Sequence, residues 1–196
     1  MKSLPSITSE IDEKIIYRVI DKNFSLLAPF FYSFISNWLI RAYKRYNDID
    51  KFLIIIYLIH QNLVFYRKNG LIIDYNTFYR DRTIEINKIN ISDISKDLEI
   101  PKESVRRKIL DLEKNGAIKK VGKKIFIDRS TLHKARATDT VSELSALLSE
   151  FNKILKKEKL ISEIFELNKI TNSIKENFSF CLYQLNKFIF IYLNRW

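Results

Sequence analysis

The chain has 196 residues, of which 46% are hydrophobic, and it carries a formal net charge of +11. This apolar content excludes general disorder, and three Gly with three Pro are too few for a loop-rich β-sandwich, so the composition predicts a mainly helical fold. The excess of positive charge favours a nucleic acid or another anionic surface as the partner.

The cysteine and the apolar runs predict a soluble, cytoplasmic protein. Cys181 is the only cysteine, which excludes an internal disulfide, and its apolar neighbours predict a small buried thiol. No apolar signal core follows Met1. The longest apolar run, Phe52 to Ile59, is shorter than the roughly 20 residues that a membrane crossing needs, so we expect no integral membrane segment.

The chemistry of the side chains argues against an enzyme. The two histidines, His60 and His133, are solitary, so we expect structural histidines, no metal site and no cofactor. The sequence also has no Gly-rich phosphate loop and no arrangement of Ser, His and Asp that the few histidines could serve.

The N-terminal part, residues 1 to 47, is predicted to form two helices. Ser9 is a candidate N-cap of the first, and Pro29 marks the expected start of the second, which runs to about Tyr46. The second helix has a wide aromatic stripe that must be covered, either by the core of the same chain or by a second subunit. The stripe consists of Phe30, Phe31, Phe34, Ile35, Trp38, Leu39 and Ala42.

The middle part, residues 48 to 136, is predicted to begin with a third helix, from about Ile49 to Lys68. Because residues 52 to 59 are apolar on every side of a helix, we expect this helix to lie at the centre of the core. Residues 71 to 83 predict a plain loop. Residues 84 to 86 alternate as a short strand that can pair with a later hairpin.

A short helix and a longer one follow, joined by a tight turn. Asn90 is a candidate N-cap of the first, Glu99 lies in the turn, and Pro101 suits the start of the second. The longer helix ends at Gly116, and a hairpin with a Gly-containing basic tip comes after it. The apolar stripe of the longer helix is Val105, Ile109 and Leu112.

The basic residues are concentrated in this part of the chain. From Lys102 to Arg129 there are ten Lys or Arg and four Asp or Glu, which gives +6 of the total +11. Ordinary solvated charges are one explanation, and contact with DNA is the other. The residues expected to contact bases are Lys102, Glu103, Arg106 and Arg107. The residues expected to contact phosphates are Lys108, Lys119, Lys120, Lys123 and Lys124.

Two runs in this region, IPKESVRRKILDLEKNGAI and GKKIFIDRSTL, resemble the winged helix-turn-helix of bacterial transcription regulators, most closely the DNA-binding part of the Crp/Fnr family. The resemblance covers about residues 84 to 132. It implies base contacts from Arg-Glu-x-x-x-Arg, which corresponds here to Lys102, Glu103 and Arg107. Lys102 departs from this pattern because lysine cannot make the two-pronged contact of arginine. Glu99 occupies a turn position where that family favours Gly.

The sensor domain of that family needs a Gly-rich β-roll, for which three Gly are too few. The C-terminal part, residues 137 to 196, instead predicts three helices. Asp139 is a candidate cap of the first, the second begins near Ile161, and the third begins near Asn177. Helices on both sides of a winged domain resemble the layout of MarR-type regulators, which implies a homodimer and leaves room for a small-molecule effector.

The sequence therefore predicts a mainly α fold with a small β-wing, in which a winged helix-turn-helix is flanked by N- and C-terminal helices. The function it favours is a sequence-specific transcription regulator that binds double-stranded DNA. One alternative is an initiator of replication or partition. Another is an interaction scaffold that does not bind DNA and lies at a membrane surface, because residues 178 to 196 are both aromatic and basic.

Overall fold

The computed structural model describes residues 12–80, 83–87, 90–121, 124–128 and 138–193. The predicted cap Ser9 and the second histidine, His133, lie outside these residues. Within the described part, the chain is mainly helical and has one antiparallel sheet of three strands, as its composition and patterns predict.

The helices are α1 (Glu13–Lys22), α2 (Phe24–Tyr46), α3 (Ile49–Lys68), α4 (Tyr75–Arg80), α5 (Ile91–Asp97), α6 (Lys102–Lys114), α7 (Thr138–Lys157), α8 (Leu167–Glu176) and α9 (Phe178–Leu193). The strands are β1 (Thr83–Asn87), β2 (Ile118–Val121) and β3 (Lys124–Asp128).

Helix α3 lies at the centre of the fold, as predicted. Every residue from Phe52 to Ile59 is buried, since α2 and α9 pack against this helix and α6 and β1 contact it as well. By length and mean hydropathy (1.3) α3 could also cross a membrane, although a buried core helix meets the same criterion. The absence of a membrane segment therefore stays a prediction.

The start predicted for α2, at Pro29, is wrong, because this proline lies inside the helix. Leu27, in the turn before it, is buried with Val19 of α1 and Ile154 of α7 in a second, smaller apolar cluster. Packing of Leu27 therefore favours helix N-terminal to the proline, although the proline removes one backbone hydrogen bond.

The aromatic stripe of α2 is covered mostly by the chain's own core, which was the first of the two alternatives. Phe34, Ile35 and Ala42 are buried. Phe31 contacts the ring of Phe188 edge-on, and the centroids are 5.8 Å apart.

Residues 71 to 83 are not the plain loop that the sequence predicts, because residues 75 to 80 form helix α4. Tyr75, Phe78 and Tyr79 are buried there, and all three rings contact the ring of Phe178. Ser179 fixes the segment before α4, since its hydroxyl accepts a hydrogen bond from the backbone N–H of Ile73 at 2.9 Å. These contacts come from a helix a hundred residues further along the chain.

The sheet has the strand order β1-β3-β2, so the strand predicted at residues 84 to 86 does pair with the hairpin. Ile86, Ile118, Ile125 and Ile127 are buried, and they alternate with residues on the outer face of the sheet.

The helix predicted to begin near Ile161 begins instead at Leu167. Lys159 has a left-handed backbone (φ 59°), and the N–H of Leu160 bonds back to the carbonyl of Leu155 at 2.9 Å. This local termination of α7 leaves residues 161 to 166 outside a helix. The start predicted for the last helix, near Asn177, is confirmed.

Asp48 joins α3 to α6. As the N-cap of α3, its Oδ1 accepts hydrogen bonds from the backbone N–H groups of Asp50 (2.9 Å) and Lys51 (3.2 Å). Its Oδ2 pairs with the ammonium of Lys108 on α6, which also lies 3.2 Å from Asp50. A second ion pair, between Lys51 and Asp111 at 2.9 Å, joins the same two helices. These contacts fix how α6 is rotated against α3.

The charged form of Asp48 is favoured in the folded state. Its partial burial raises the pKa, but the hydrogen bonds from Lys108 and from the amides of α3 outweigh that effect, so the pKa of Asp48 lies below its ordinary value. Burial likewise opposes the charge on Lys108, whose pKa is nevertheless raised by the two carboxylates beside it.

Asp48→Asn is expected to destabilise the fold by roughly 1 kcal/mol at neutral pH, because Asn keeps the cap but cannot pair with an ammonium. Since the folded-state pKa is lowered, this contribution is complete above the unfolded value of about 4 and is lost as the pH falls through the folded value. Denaturant unfolding of the two proteins across a pH series measures the difference, which should shrink in acid.

Asp12→Asn is the matched control. Asp12 caps α1 by accepting a hydrogen bond from the N–H of Lys14 at 2.8 Å, and it has no ion pair with another described residue. Its replacement should change stability by less than about 0.5 kcal/mol. Equal stability of Asp48→Asn and the unmodified chain at neutral pH would contradict a role for the Asp48–Lys108 pair.

Candidate nucleic-acid interface

Helix α6 buries one side and presents the other to solvent. The predicted stripe of Val105, Ile109 and Leu112 is at most 3% exposed, and α6 contacts α3, α5 and β2. The side chains on the other side of the helix are exposed, and we call them the outer face of α6. They are Lys102, Glu103, Arg106, Arg107, Leu110 and Lys114.

All four residues predicted to contact bases belong to this outer face. Lys102 and Glu103 lie in the first turn of α6, and Arg106 and Arg107 lie in the second. None of the four forms an ion pair or a side-chain hydrogen bond with another described residue. Their donors and acceptors are therefore available to a partner.

Lys108 is placed differently from the other predicted phosphate contacts. Its side chain is 12% exposed, and its ammonium is paired with Asp48 and Asp50. If this ammonium left to bind a phosphate, both carboxylates at the N-terminus of α3 would lose it as their ion-pair partner. We therefore give Lys108 a structural role and leave it out of the candidate interface.

The hairpin contributes further lysines beside α6. Lys119 and Lys120 are exposed on β2, and the backbone N–H of Lys120 donates to the carboxylate of Glu113 at 3.3 Å. Lys124 is the first residue of β3, but its side chain and the whole of Lys123 lie outside the described part of the structure. Of the predicted hairpin contacts, the structure thus places Lys119 and Lys120 in solvent.

Side-chain hydrogen bonds hold α5 and the turn in place. The hydroxyl of Tyr57 on α3 donates a hydrogen bond to the carboxylate of Asp97 at 2.7 Å. Burial of Tyr57 raises the pKa of its hydroxyl, and the carboxylate of Asp97 raises it further. Ser95 donates to the carbonyl of Ile100 across the turn at 2.7 Å. The turn and both of its helices are therefore tied to the central helix.

Sequence reasoning missed two features of this surface. Leu110 is 55% exposed in the middle of the outer face of α6, between Arg106 and Lys114. Its spacing of three residues from Arg107 and seven from Glu103 was a signal that could have found it. The Lys51–Asp111 pair was not predicted either, because it joins two helices that lie far apart in sequence.

Other sites fit the described residues less well. No group of three or more His, Cys, Asp or Glu there could hold a metal ion. His60 stacks on Tyr183 with ring centroids 4.8 Å apart, and burial, with Lys187 nearby, lowers the pKa of His60, as suits a neutral histidine in a core.

Comparison with models of known protein families, with curated proteins and with solved structures found no match to this chain.

Glu99, in the turn between α5 and α6, has a left-handed backbone with φ 54°. Since a residue with a Cβ is strained there, Glu99→Gly is expected to stabilise the fold by about 0.5–1 kcal/mol, as measured by denaturant unfolding. Asn47→Gly is the control, because Asn47 has φ 50° but asparagine tolerates this conformation. A gain in Asn47→Gly as large as that in Glu99→Gly would show that residue type at the turn is unimportant.

Proposed function

We propose that this chain is a sequence-specific regulator of transcription that binds double-stranded DNA through a winged helix-turn-helix. In this proposal α6 enters the major groove, α5 supports it, and the β2–β3 hairpin is the wing. The observation that carries the proposal is the outer face of α6, which is basic, exposed and without partners among the described residues.

The order of the elements supports this reading. Helix α3 is followed by the short helix α4 and a strand, then by two helices joined by a tight turn, and then by a hairpin. The second strand of the hairpin pairs with β1, so the hairpin is anchored beside the C-terminal end of α6. The exposed lysines of β2, Lys119 and Lys120, and the outer face of α6 thus belong to two elements that contact each other, which supports the proposal.

The chemistry of the outer face suits base edges. An arginine can donate two hydrogen bonds to guanine, and a glutamate can accept from the amino group of cytosine. Arg106, Arg107 and Glu103 supply these groups, and Lys102 is a further base contact with a single charged donor group. Lys119 and Lys120 are point charges suited to phosphates.

The scaffold alternative has less support. It relied on the apolar and basic C-terminal segment, but α9 packs along α3 with Phe178 and Ile189 buried. A helix that is already covered by its own chain has less apolar area to offer a membrane surface.

The proposal includes a homodimer. Helix α2 leaves several large apolar side chains exposed to solvent, and a two-fold partner is the commonest cover for such side chains. These side chains are Phe24, Leu26, Tyr32, Ile40 and Tyr43.

The base-reading role of Arg107 is tested by fluorescence anisotropy on a duplex that the unmodified protein selects from a random pool. Arg107→Ala should weaken binding to this duplex by about tenfold or more, because one bidentate contact gives roughly 1–3 kcal/mol of discrimination. Binding to an unrelated duplex should fall much less.

Arg18→Ala is the matched control, since Arg18 is an exposed arginine on α1, outside the proposed DNA-binding elements. It removes the same charge and should change the affinity for both duplexes only slightly. An equal loss on every duplex would exclude base reading by Arg107. Failure of the unmodified protein to bind any duplex at low salt would exclude the proposed function itself.

The phosphate contacts are tested by salt dependence. Lys120→Ala should reduce the slope of log affinity against log salt concentration by about 0.9, since one phosphate contact fewer releases one counterion fewer. Lys175→Ala should leave the slope unchanged, because Lys175 is an exposed lysine on α8, outside the proposed DNA-binding elements. The same slope for both variants would place the hairpin away from the DNA backbone.

Leu110 suits the methyl group of thymine, because it is an apolar side chain inside a charged face. Replacing the thymines of the selected duplex one at a time by deoxyuridine removes only that methyl. At one position this replacement should weaken binding of the unmodified protein several-fold and leave Leu110→Ala unaffected. Equal sensitivity of the two proteins at every position would show that Leu110 reads no thymine.

A further inference from the structure

A cavity of about 500 Å³, open to solvent, lies between α7, α8 and α9, and no residue of α6 lines it. This volume is within the usual range of sites for small organic ligands. Most of the wall is apolar, which favours a ligand with a substantial hydrocarbon part. The apolar side chains in the wall include Leu148, Phe151, Leu155, Ile170, Ile174 and Phe180.

Two polar side chains lie together in the wall of this cavity. Lys169 and Ser173 are one turn apart on α8, so they share a face of that helix. The ammonium of Lys169 lies 4.7 Å from the ring centroid of Phe165. Neither the ammonium nor the Ser173 hydroxyl has an ion pair or a side-chain hydrogen bond within the described part of the chain.

The two side-chain amides in the wall each donate one hydrogen bond within the chain. Asn152 donates to the carbonyl of Phe165 at 3.4 Å, and Asn177 donates to the carbonyl of Ser173 at 2.9 Å. The Lys169 ammonium and the Ser173 hydroxyl, in contrast, have no hydrogen-bond partner among the described side chains, and they lie beside apolar walls. That combination is complementary to an anion at the end of an apolar chain.

We propose that this cavity binds a free long-chain carboxylate. The hydrocarbon chain lies against the apolar walls formed by α7, α8 and α9, and the carboxylate is bound by the ammonium of Lys169 and the hydroxyl of Ser173. This inference does not rest on DNA binding, because no residue of the outer face of α6 takes part in it.

Calorimetric titration of the full chain with dodecanoate, below its micelle concentration, tests the proposal. We expect saturable binding that Lys169→Met weakens by about tenfold or more, since this variant keeps the apolar stem and loses the charged hydrogen bond. Ser173→Ala should weaken binding several-fold, and it provides a second variant if Lys169→Met does not fold. Dodecanol, a neutral ligand with the same chain, should bind the unmodified protein far more weakly than dodecanoate.

Lys175→Met is the matched control, because Lys175 is an exposed lysine on the same helix that does not line the cavity. It should bind dodecanoate as the unmodified protein does. Absence of saturable binding would overturn the proposal. Equal weakening by Lys169→Met and Lys175→Met, or equal affinity for dodecanol and dodecanoate, would overturn it too, since the charge at Lys169 would then not be recognised.

Alkylation of Cys181 can show where the ligand binds, because Cys181 lines the cavity and is the chain's only cysteine. Burial raises the pKa of its thiol to about 11, so its alkylation by iodoacetamide should be slow and is best followed at about pH 9. Dodecanoate should slow this alkylation further at concentrations that saturate the site. Saturable binding without protection of Cys181 would place the ligand elsewhere and overturn the proposal.

Discussion

Helix α3 needs cover on every side, and this constraint determines where the other elements lie. Burial of each large apolar side chain between Phe52 and Ile59 contributes roughly 2 kcal/mol, which one neighbouring helix could not supply for all of them. Helices α2 and α9 cover part of the surface, and α6 with β1 covers another part. The candidate DNA-binding elements are therefore one wall of the core. A substitution that loosens α3 would disturb them together with the flanking helices.

Apolar packing places α6 against α3, and the ion pairs between the two helices determine which cations of α6 remain without a partner. Lys108 pairs with Asp48 and Asp50, and Lys51 pairs with Asp111, so two cations are held at the junction of α3 and α6. The cations left without partners among the described residues of α6 are those of its outer face. The same ion pairs that fix the rotation of α6 thus separate structural lysines from those that could contact phosphate.

The sequence predicted the features that depend on short-range patterns. The bounds of α3 and the apolar stripe of α6 follow from the periodicity of the apolar residues. It failed where distant residues decide the outcome. Helix α4 is held by Phe178 of α9, which packs against its rings, and by Ser179, which binds the backbone before it, at Ile73. The role of Lys108 depends on Asp48, sixty residues earlier. A basic residue on a helix cannot be assigned to a partner or to the fold until such pairs are known.

Helix α3 contacts both α6 and α9, which belong to the two surfaces proposed to bind ligands, but the contacts are of different kinds. Toward α5 and α6, α3 is held by two sets of ion pairs and by the Tyr57–Asp97 hydrogen bond. Toward α9, the buried amide of Asn186 reaches the carbonyl of Ile56 at 3.5 Å, and its oxygen has no partner among the described residues. An unpaired buried oxygen costs about 1–3 kcal/mol, so the contact between α3 and α9 depends on apolar packing, with Phe178 and Ile189 buried, rather than on polar pairs.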